Sequence, residues 1–225
     1  CFRQITPKGG IDFYMSPMDG SAGWSDAGVF IPYDIYKQYG DKKILLEHYD
    51  SMKKYAEYKI HTLGKWYPTA RSTGLKHKYK KCIHNYGQSY GEWAEPTEVY
   101  ITSFKDFACP HPEESTAYVY FMLTEMTEIA RVLNKEEDAK RFETYANKAK
   151  FGYQRLIECP KFSLDTNRQA KLVRPLYMHL LNEEKEKYAE KRLLEALDFF
   201  GWKLGTGFLS TPFILYVLEK IDIEY

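Results

Sequence analysis

The sequence predicts an all-α fold of successive helical hairpins, closing as an α/α toroid with long loops at one rim. Three observations lead there. Apolar residues recur every three to four positions over most of the 225 residues, and Gly, Asp or Asn divide them into segments joined in close pairs. No segment shows the strict alternation of a strand. Helical solenoids share this layout, but the Trp-Leu-Gly and Ala-Phe-Pro signatures of a repeat of about 34 residues do not recur, which leaves the toroid as the better solution.

The first helix is expected over residues 27 to 39, where Val29, Ile31, Tyr33, Ile35, Tyr36 and Tyr39 form a broad apolar face and Gly40 gives the stop. Asp26 is placed to cap it, since a carboxylate accepts from the free N–H groups of a first turn. Pro32, within two turns of the start, bends the helix without ending it. Asp41 then caps a second helix through Leu63, with Ile44, Leu45, Tyr49, Met52, Tyr55, Ala56 and Ile60 at helical spacing and Gly64 at its end. Residues 64 to 113 follow as a long irregular segment, of the kind that in a compact domain is usually functional. Its cationic run KHKYKK, residues 76 to 81, reads as solvated surface.

Pairing resumes with helices over residues 114 to 133 and 135 to 157, turned at Asn134, and again over 167 to 181 and 183 to 199. After GTGF, at residues 205 to 208, a last helix runs from Thr211 to Ile221. A chain of this length buries enough apolar surface for one large domain, or part of one.

Composition removes several classes of function. Lys plus Arg number 32 against 31 Asp plus Glu, so no net field selects nucleic acid or an anionic membrane, and a neutral ligand is expected. No run of about 18 apolar residues exists to span a bilayer. Cys1, Cys82, Cys109 and Cys159 lack Cys-x-x-Cys spacing, and His48, His61, His77, His84, His111 and His179 lack metal-ligand spacing, so neither metal nor cofactor is expected. CFRQITPKGG at the start resembles neither a signal peptide nor a lipoprotein tether, and the absence of an initiator Met reads as the mark of a segment cut from a longer chain. The compartment stays open between periplasmic, secreted and cytoplasmic, and homo-oligomer formation is left open.

Aromatic residues make up 16% of the chain, which suits core packing or stacking on flat apolar surfaces such as sugar rings. Two clusters at glycine-rich loop entries stand out from this background. GWSDAG sets Trp24 and Asp26 on a glycine turn, and YGEWAEP sets Glu92 and Trp93 behind Gly91, with Glu95 two residues on. A capping Asp beside a core Trp is the plain reading of the first. Two such clusters together instead suggest a saccharide site, where aromatic faces pack on C–H surfaces and carboxylates accept from hydroxyls. Asp26, Glu92 and Glu95 are also the nominees for the carboxylate pair that glycoside hydrolysis requires. His84 and His111 lie in loops, where a histidine could touch a ligand but is more commonly plain surface.

The sequence resembles the bacterial α-L-rhamnosidases of glycoside hydrolase family 78 over nearly its whole length. The resemblance rests on GWSDAGVFIPYDIYKQYGD, YGEWAEP, STAYVYFMLTEMTEIARVLNKEEDAKRFETYANKAK, NRQAKLVRPLYMHLL and LGTGFLSTPFILYVLEK. It implies an (α/α)6 barrel that hydrolyses terminal α-L-rhamnose with inversion, acting on a carbohydrate substrate without cofactor. It also implies that Trp24, with Asp26 beside it, and Trp93 line the rhamnose pocket. Glu92 stands where the family usually has Asp, which bears on a hydroxyl contact. The Arg-Glu-Arg and Gly-Trp-Thr-Gly-Asp stretch that carries the family's general acid, and the Trp-Glu stretch that carries its base, are both absent from this sequence. The chain is therefore expected to be a partial (α/α)6 barrel of about three and a half hairpins, inactive alone, with exposed apolar helix faces that favour association. A glucoamylase- or trehalase-type hydrolase with a catalytic Glu92 is the rival enzyme. A non-catalytic helical scaffold or sugar-binding module is the rival of another class. Core tryptophans would be buried, whereas pocket tryptophans would be partly exposed on one rim.

Overall fold

The computed structural model describes residues 20–67, 70, 72–87, 89–101, 103, 106 and 109–221. Cys1 and the start of the chain discussed above lie outside these residues. The described residues are helical apart from loops and a single isolated bridge between Trp66 and Asn85. Among the described residues, no helix is long and apolar enough to cross a membrane.

The first hairpin is α1 (Ala27–Tyr39) and α2 (Lys42–Thr62), turned at Gly40 in the left-handed conformation. Asp41 caps α2 as expected, its Oδ1 accepting from Lys43 N at 2.9 Å. One helical turn, α3 (His77–Lys80), lies inside the cationic run. The second hairpin is α4 (Pro112–Val132) and α5 (Glu136–Leu156), with Asn134 at φ 57° between them. Helix α4 begins two residues before its expected start because Pro112 occupies the first turn, where a missing N–H costs nothing. The third is α6 (Gln169–Tyr177) and α7 (Glu183–Phe199), and α8 (Thr211–Lys220) follows.

Helix α6 is shorter than the expected 167 to 181. His179 adopts φ 52°, and Leu180 N donates back to Pro175 O at 3.0 Å, so the chain reverses while Leu180 and Leu181 still point into the core. Their spacing keeps the helical pattern after the helix has ended.

Burial separates two kinds of helix. Helix α4 buries residues on nearly every side, whereas α5 buries the stripe Ala139, Phe142, Ala146, Ala149, Tyr153 and Leu156. Helix α4 therefore lies between two apolar clusters. One holds Val29, Leu45, Met52, Met122, Met126 and Phe142 from α1, α2, α4 and α5. The other holds Tyr118, Tyr153, Leu172, Leu193, Leu197 and Ile214 from α4 through α8. Each fully buried side chain of this kind stabilises the fold by about 1.5–3 kcal/mol. Apolar residues remain exposed at both ends of the series, Ile31 and Tyr39 on α1 and Leu215 and Tyr216 on α8.

Candidate functional site

The segments that lead into α1 and α8, together with the loop before α4, meet at one rim. Tyr90 N donates to Ser21 Oγ at 3.2 Å, Trp24 Nε1 donates to Gly91 O at 3.1 Å, and Phe208 N donates to Trp93 O at 3.0 Å. These bonds gather four rings. Trp24 lies 5.4 Å from Tyr90, 5.9 Å from Trp93 and 5.9 Å from Phe208, and Tyr90 stacks on Trp93 at 5.4 Å and 26°. Trp93 is 42% exposed and Phe208 63% exposed, while Trp24 is half-buried. Trp93 and Ala94 hold left-handed backbones at φ 34° and 58°, conformations that cost free energy in non-glycine residues and concentrate at functional sites.

Gly207 makes the meeting of these loops geometrically feasible. A Cβ at this position would lie 2.1 Å from Trp93 O and 2.3 Å from Glu92 O, so only glycine lets the two backbones approach.

The carboxylates face the other way, into the protein. Asp26 is fully buried and does not cap α1 as the sequence suggested. Its backbone is already helical, and its side chain turns back so that Oδ2 accepts from Gly23 N at 2.6 Å and Oδ1 accepts from Tyr55 OH at 2.7 Å. Burial pushes its carboxyl above the usual carboxylate value, against the pull of the buried Lys59 ammonium. Glu92 is equally enclosed, accepting from Ser210 N at 2.6 Å, Ser210 Oγ at 2.9 Å and Arg174 Nη2 at 2.9 Å. Burial raises its carboxyl to about 7, with Arg174 opposing. Glu95 accepts from Arg168 Nε at 2.7 Å, and the guanidinium lies 3.9 Å from the Tyr100 ring centre. The three nominated carboxylates are thus each committed to protein donors, and none is presented to the open rim.

The two loop histidines are also turned inward. His84 is buried with Nε2 3.1 Å from Thr62 Oγ1, and His111 Nε2 lies 2.7 Å from Asp106 O. Burial holds both below the usual histidine value.

Tyr90, Phe208, Ser210 and Arg174 were not singled out from sequence. Phe208 sits in the GTGF turn, which lacks the strand-to-helix context of a nucleotide loop. The available signal was a pair of glycines flanking one residue before a helix, which marks close backbone approach as readily as phosphate binding.

The charge states fix a pH dependence of stability. Burial raises Glu92 and Glu114 to about 7 and Glu125 to about 8, so the folded chain keeps protons that an unfolded glutamate, near 4.3, has lost. Stability from these groups is full at low pH and is lost as pH rises through their folded values. His84 and His111 oppose this only below about 6.5, where an unfolded histidine takes up a proton that the buried one does not. Between about pH 6.5 and 8 the glutamates act unopposed by them. The melting temperature is expected to fall by several degrees across that window, and Glu125→Gln should flatten the slope. Calorimetry at pH 6.5 and 8 checks this, and a rising melting temperature would refute it.

The sequence profile of the bacterial alpha-L-rhamnosidase 6 hairpin glycosidase domain matches residues 1–224. The chain belongs to this family. Among relatives of the rhamnosidase family, an alpha-L-rhamnosidase of Formosa agariphila is 29% identical over 209 residues, covering 91% of this chain and 20% of that protein. One from Streptomyces avermitilis is 26% identical over 210 residues, 92% of this chain and 18% of that protein. The crystal structure of the Streptomyces avermitilis alpha-L-rhamnosidase complexed with L-rhamnose superposes with a TM-score of 0.67 at 26% identity, covering 90% of this chain and 17% of that one. The alpha-L-rhamnosidase from Dictyoglumus thermophilum gives 0.68 at 27% identity, over 90% and 21% of the two chains. This chain therefore has the six-hairpin glycosidase fold and spans about a fifth of the length of the rhamnosidases it matches.

Proposed function

We propose that the chain forms part of the catalytic barrel of an inverting α-L-rhamnoside hydrolase, and that Trp24, Trp93, Tyr90 and Phe208 make the floor on which the sugar stacks. The observation that carries this reading is the exposed Trp93 ring, held on a left-handed backbone, beside Trp24 at the rim where the loops converge. A scaffold role would bury those rings. In this reading Asp26 and Glu92 hold the floor from below, because their oxygens are already occupied.

Inversion requires an acid and a base on opposite faces of the sugar, about 6.5–9.5 Å apart, with room for water between. Asp26, Glu92 and Glu95 are enclosed and cannot fill those roles, which also argues against the glucoamylase-type rival with a catalytic Glu92. The acid and base then come from segments beyond these 225 residues. The purified chain should release no rhamnose from an aryl α-L-rhamnoside, and measurable release would defeat that assignment.

In the full-length gene product, Trp93→Ala should lower kcat/KM for an aryl α-L-rhamnoside by about 10- to 100-fold, the loss of one stacked aromatic face at about 1–3 kcal/mol. Hydrolysis of an aryl α-D-glucoside in preference to the rhamnoside would favour the rival enzyme. An unchanged kcat/KM would remove Trp93 from the sugar site.

A further inference from the structure

Arg174 is the largest fully enclosed side chain among the described residues, set in the otherwise apolar run of α6 that includes Leu172, Val173, Pro175 and Leu176. A guanidinium withdrawn from water is tolerable only where its charge and donors are met. Here the charge and the two terminal nitrogens are met by three carboxylates from two other segments, and Nε alone is buried without a partner. Nη1 donates to Glu113 Oε2 at 2.7 Å, Nη2 donates to Glu92 Oε2 at 2.9 Å, and Glu114 Oε2 lies 3.6 Å from Nη2.

The cluster branches in two directions. Away from the rim, Tyr153 OH on α5 donates to Glu113 Oε1 at 2.9 Å. Toward the rim, Glu92 is bonded through both oxygens to Ser210, at the start of α8. Trp93 follows Glu92 directly, and Phe208 stands two residues before Ser210. One guanidinium thus restrains, through a single carboxylate, the two loops that carry the two most exposed rings of the aromatic floor.

We propose that Arg174 is a positioning residue for sugar binding, setting the angle between Trp93 and Phe208 through Glu92 and Ser210. The inference rests on the aromatic floor being the sugar site. A planar fork reaching Glu92 with one nitrogen and Glu113 with the other is what arginine supplies and lysine does not. Arg174→Lys keeps the charge and loses the bridging geometry. A floor that binds the ground and transition states alike acts on KM rather than on kcat.

The test uses the full-length gene product and compares Arg174→Lys with Tyr153→Phe, which perturbs the same cluster on the side away from the rim. Arg174→Lys should raise KM for an aryl α-L-rhamnoside about tenfold with kcat changed less than about threefold, and should alter the near-ultraviolet circular dichroism of the ring cluster. Tyr153→Phe should lower the melting temperature and leave KM and that spectrum unchanged. If Arg174→Lys does not fold, Ser210→Ala, which removes one donor to Glu92, should shift KM and spectrum in the same direction by a few-fold. An Arg174→Lys protein that melts earlier but keeps wild-type KM and ring spectrum overturns the proposal, as does a Tyr153→Phe protein that shifts KM equally. The ring spectrum needs no substrate, so a changed spectrum with wild-type KM in Trp93→Ala would instead count against the floor as the sugar site.

Discussion

Gly207→Ala is expected to lower kcat/KM for an aryl α-L-rhamnoside by about 10²-fold in the full-length gene product, although Gly207 has no side chain to offer a sugar. The added Cβ would meet Trp93 O at 2.1 Å and Glu92 O at 2.3 Å. Both obstacles are backbone atoms, so no rotamer change relieves them, and the 90–93 and 205–210 loops must separate. Separation breaks the bond from Phe208 N to Trp93 O and pulls Ser210 from Glu92. A displacement of about 1 Å at a binding group is enough for a loss of that size. Gly205→Ala is the matched control, since its Cβ would meet only side-chain atoms and at longer range, Val99 Cγ2 at 3.0 Å and Gln169 Cδ at 3.1 Å. A Gly207→Ala enzyme within about threefold of wild type would show that the loops tolerate separation and that the ring geometry is not what binds substrate.

Much of the fold was legible because the helices punctuate themselves. Gly40 and Asp41 mark the first turn, Asn134 the second, and the apolar spacing of α4 and α5 leaves no other period to choose. The errors came where local pattern and chain path part. Leu180 and Leu181 continue the spacing of α6 after His179 has reversed the chain. Asp26, standing before an apolar run, has the look of a cap, but its partners Tyr55 and Lys59 come from the next helix and draw the carboxylate the other way.

The candidate site was legible in its aromatic half. Two glycine, tryptophan and acid clusters at loop entries singled out Trp24 and Trp93, whose rings lie 5.9 Å apart in the structure. The acids in those clusters were assigned to the ligand because nothing local says what else they face. Glu92 is held by Arg174, 82 residues on, and by Ser210, 118 residues on, separations that no local pattern encodes. Seen together, the two clusters are built alike. Each tryptophan stands at the rim beside a buried carboxylate, and each carboxylate is held by a hydroxyl from elsewhere in the fold and feels a buried cation, Lys59 through its field alone and Arg174 through a direct bond.

That construction predicts that Asp26→Ala destabilises the fold by about 3–5 kcal/mol, the cost of stranding the buried Lys59 ammonium without its counter-charge and of removing the carboxylate that accepts from Tyr55 OH and Gly23 N. Asp26 is enclosed with Lys59, whose ammonium is also fully buried and otherwise donates to Gly20 O. Without the carboxylate, burial alone acts on Lys59, and its tendency to lose its proton, already visible as a value below the ordinary lysine range, is no longer opposed. Tyr55 OH and Gly23 N lose their acceptor in the same step, so the turn beneath Trp24 loosens as the helix pair weakens. If the loss comes chiefly from a stranded cation, Lys59→Met should recover part of it, and the double variant should be less destabilised than the sum of the single ones. Urea unfolding of the four proteins measures that coupling directly. A strictly additive result, or an Asp26→Ala cost under about 1 kcal/mol, would mean that Asp26 is free to serve a ligand after all, and that the buried clamp is not what holds Trp24 at the rim.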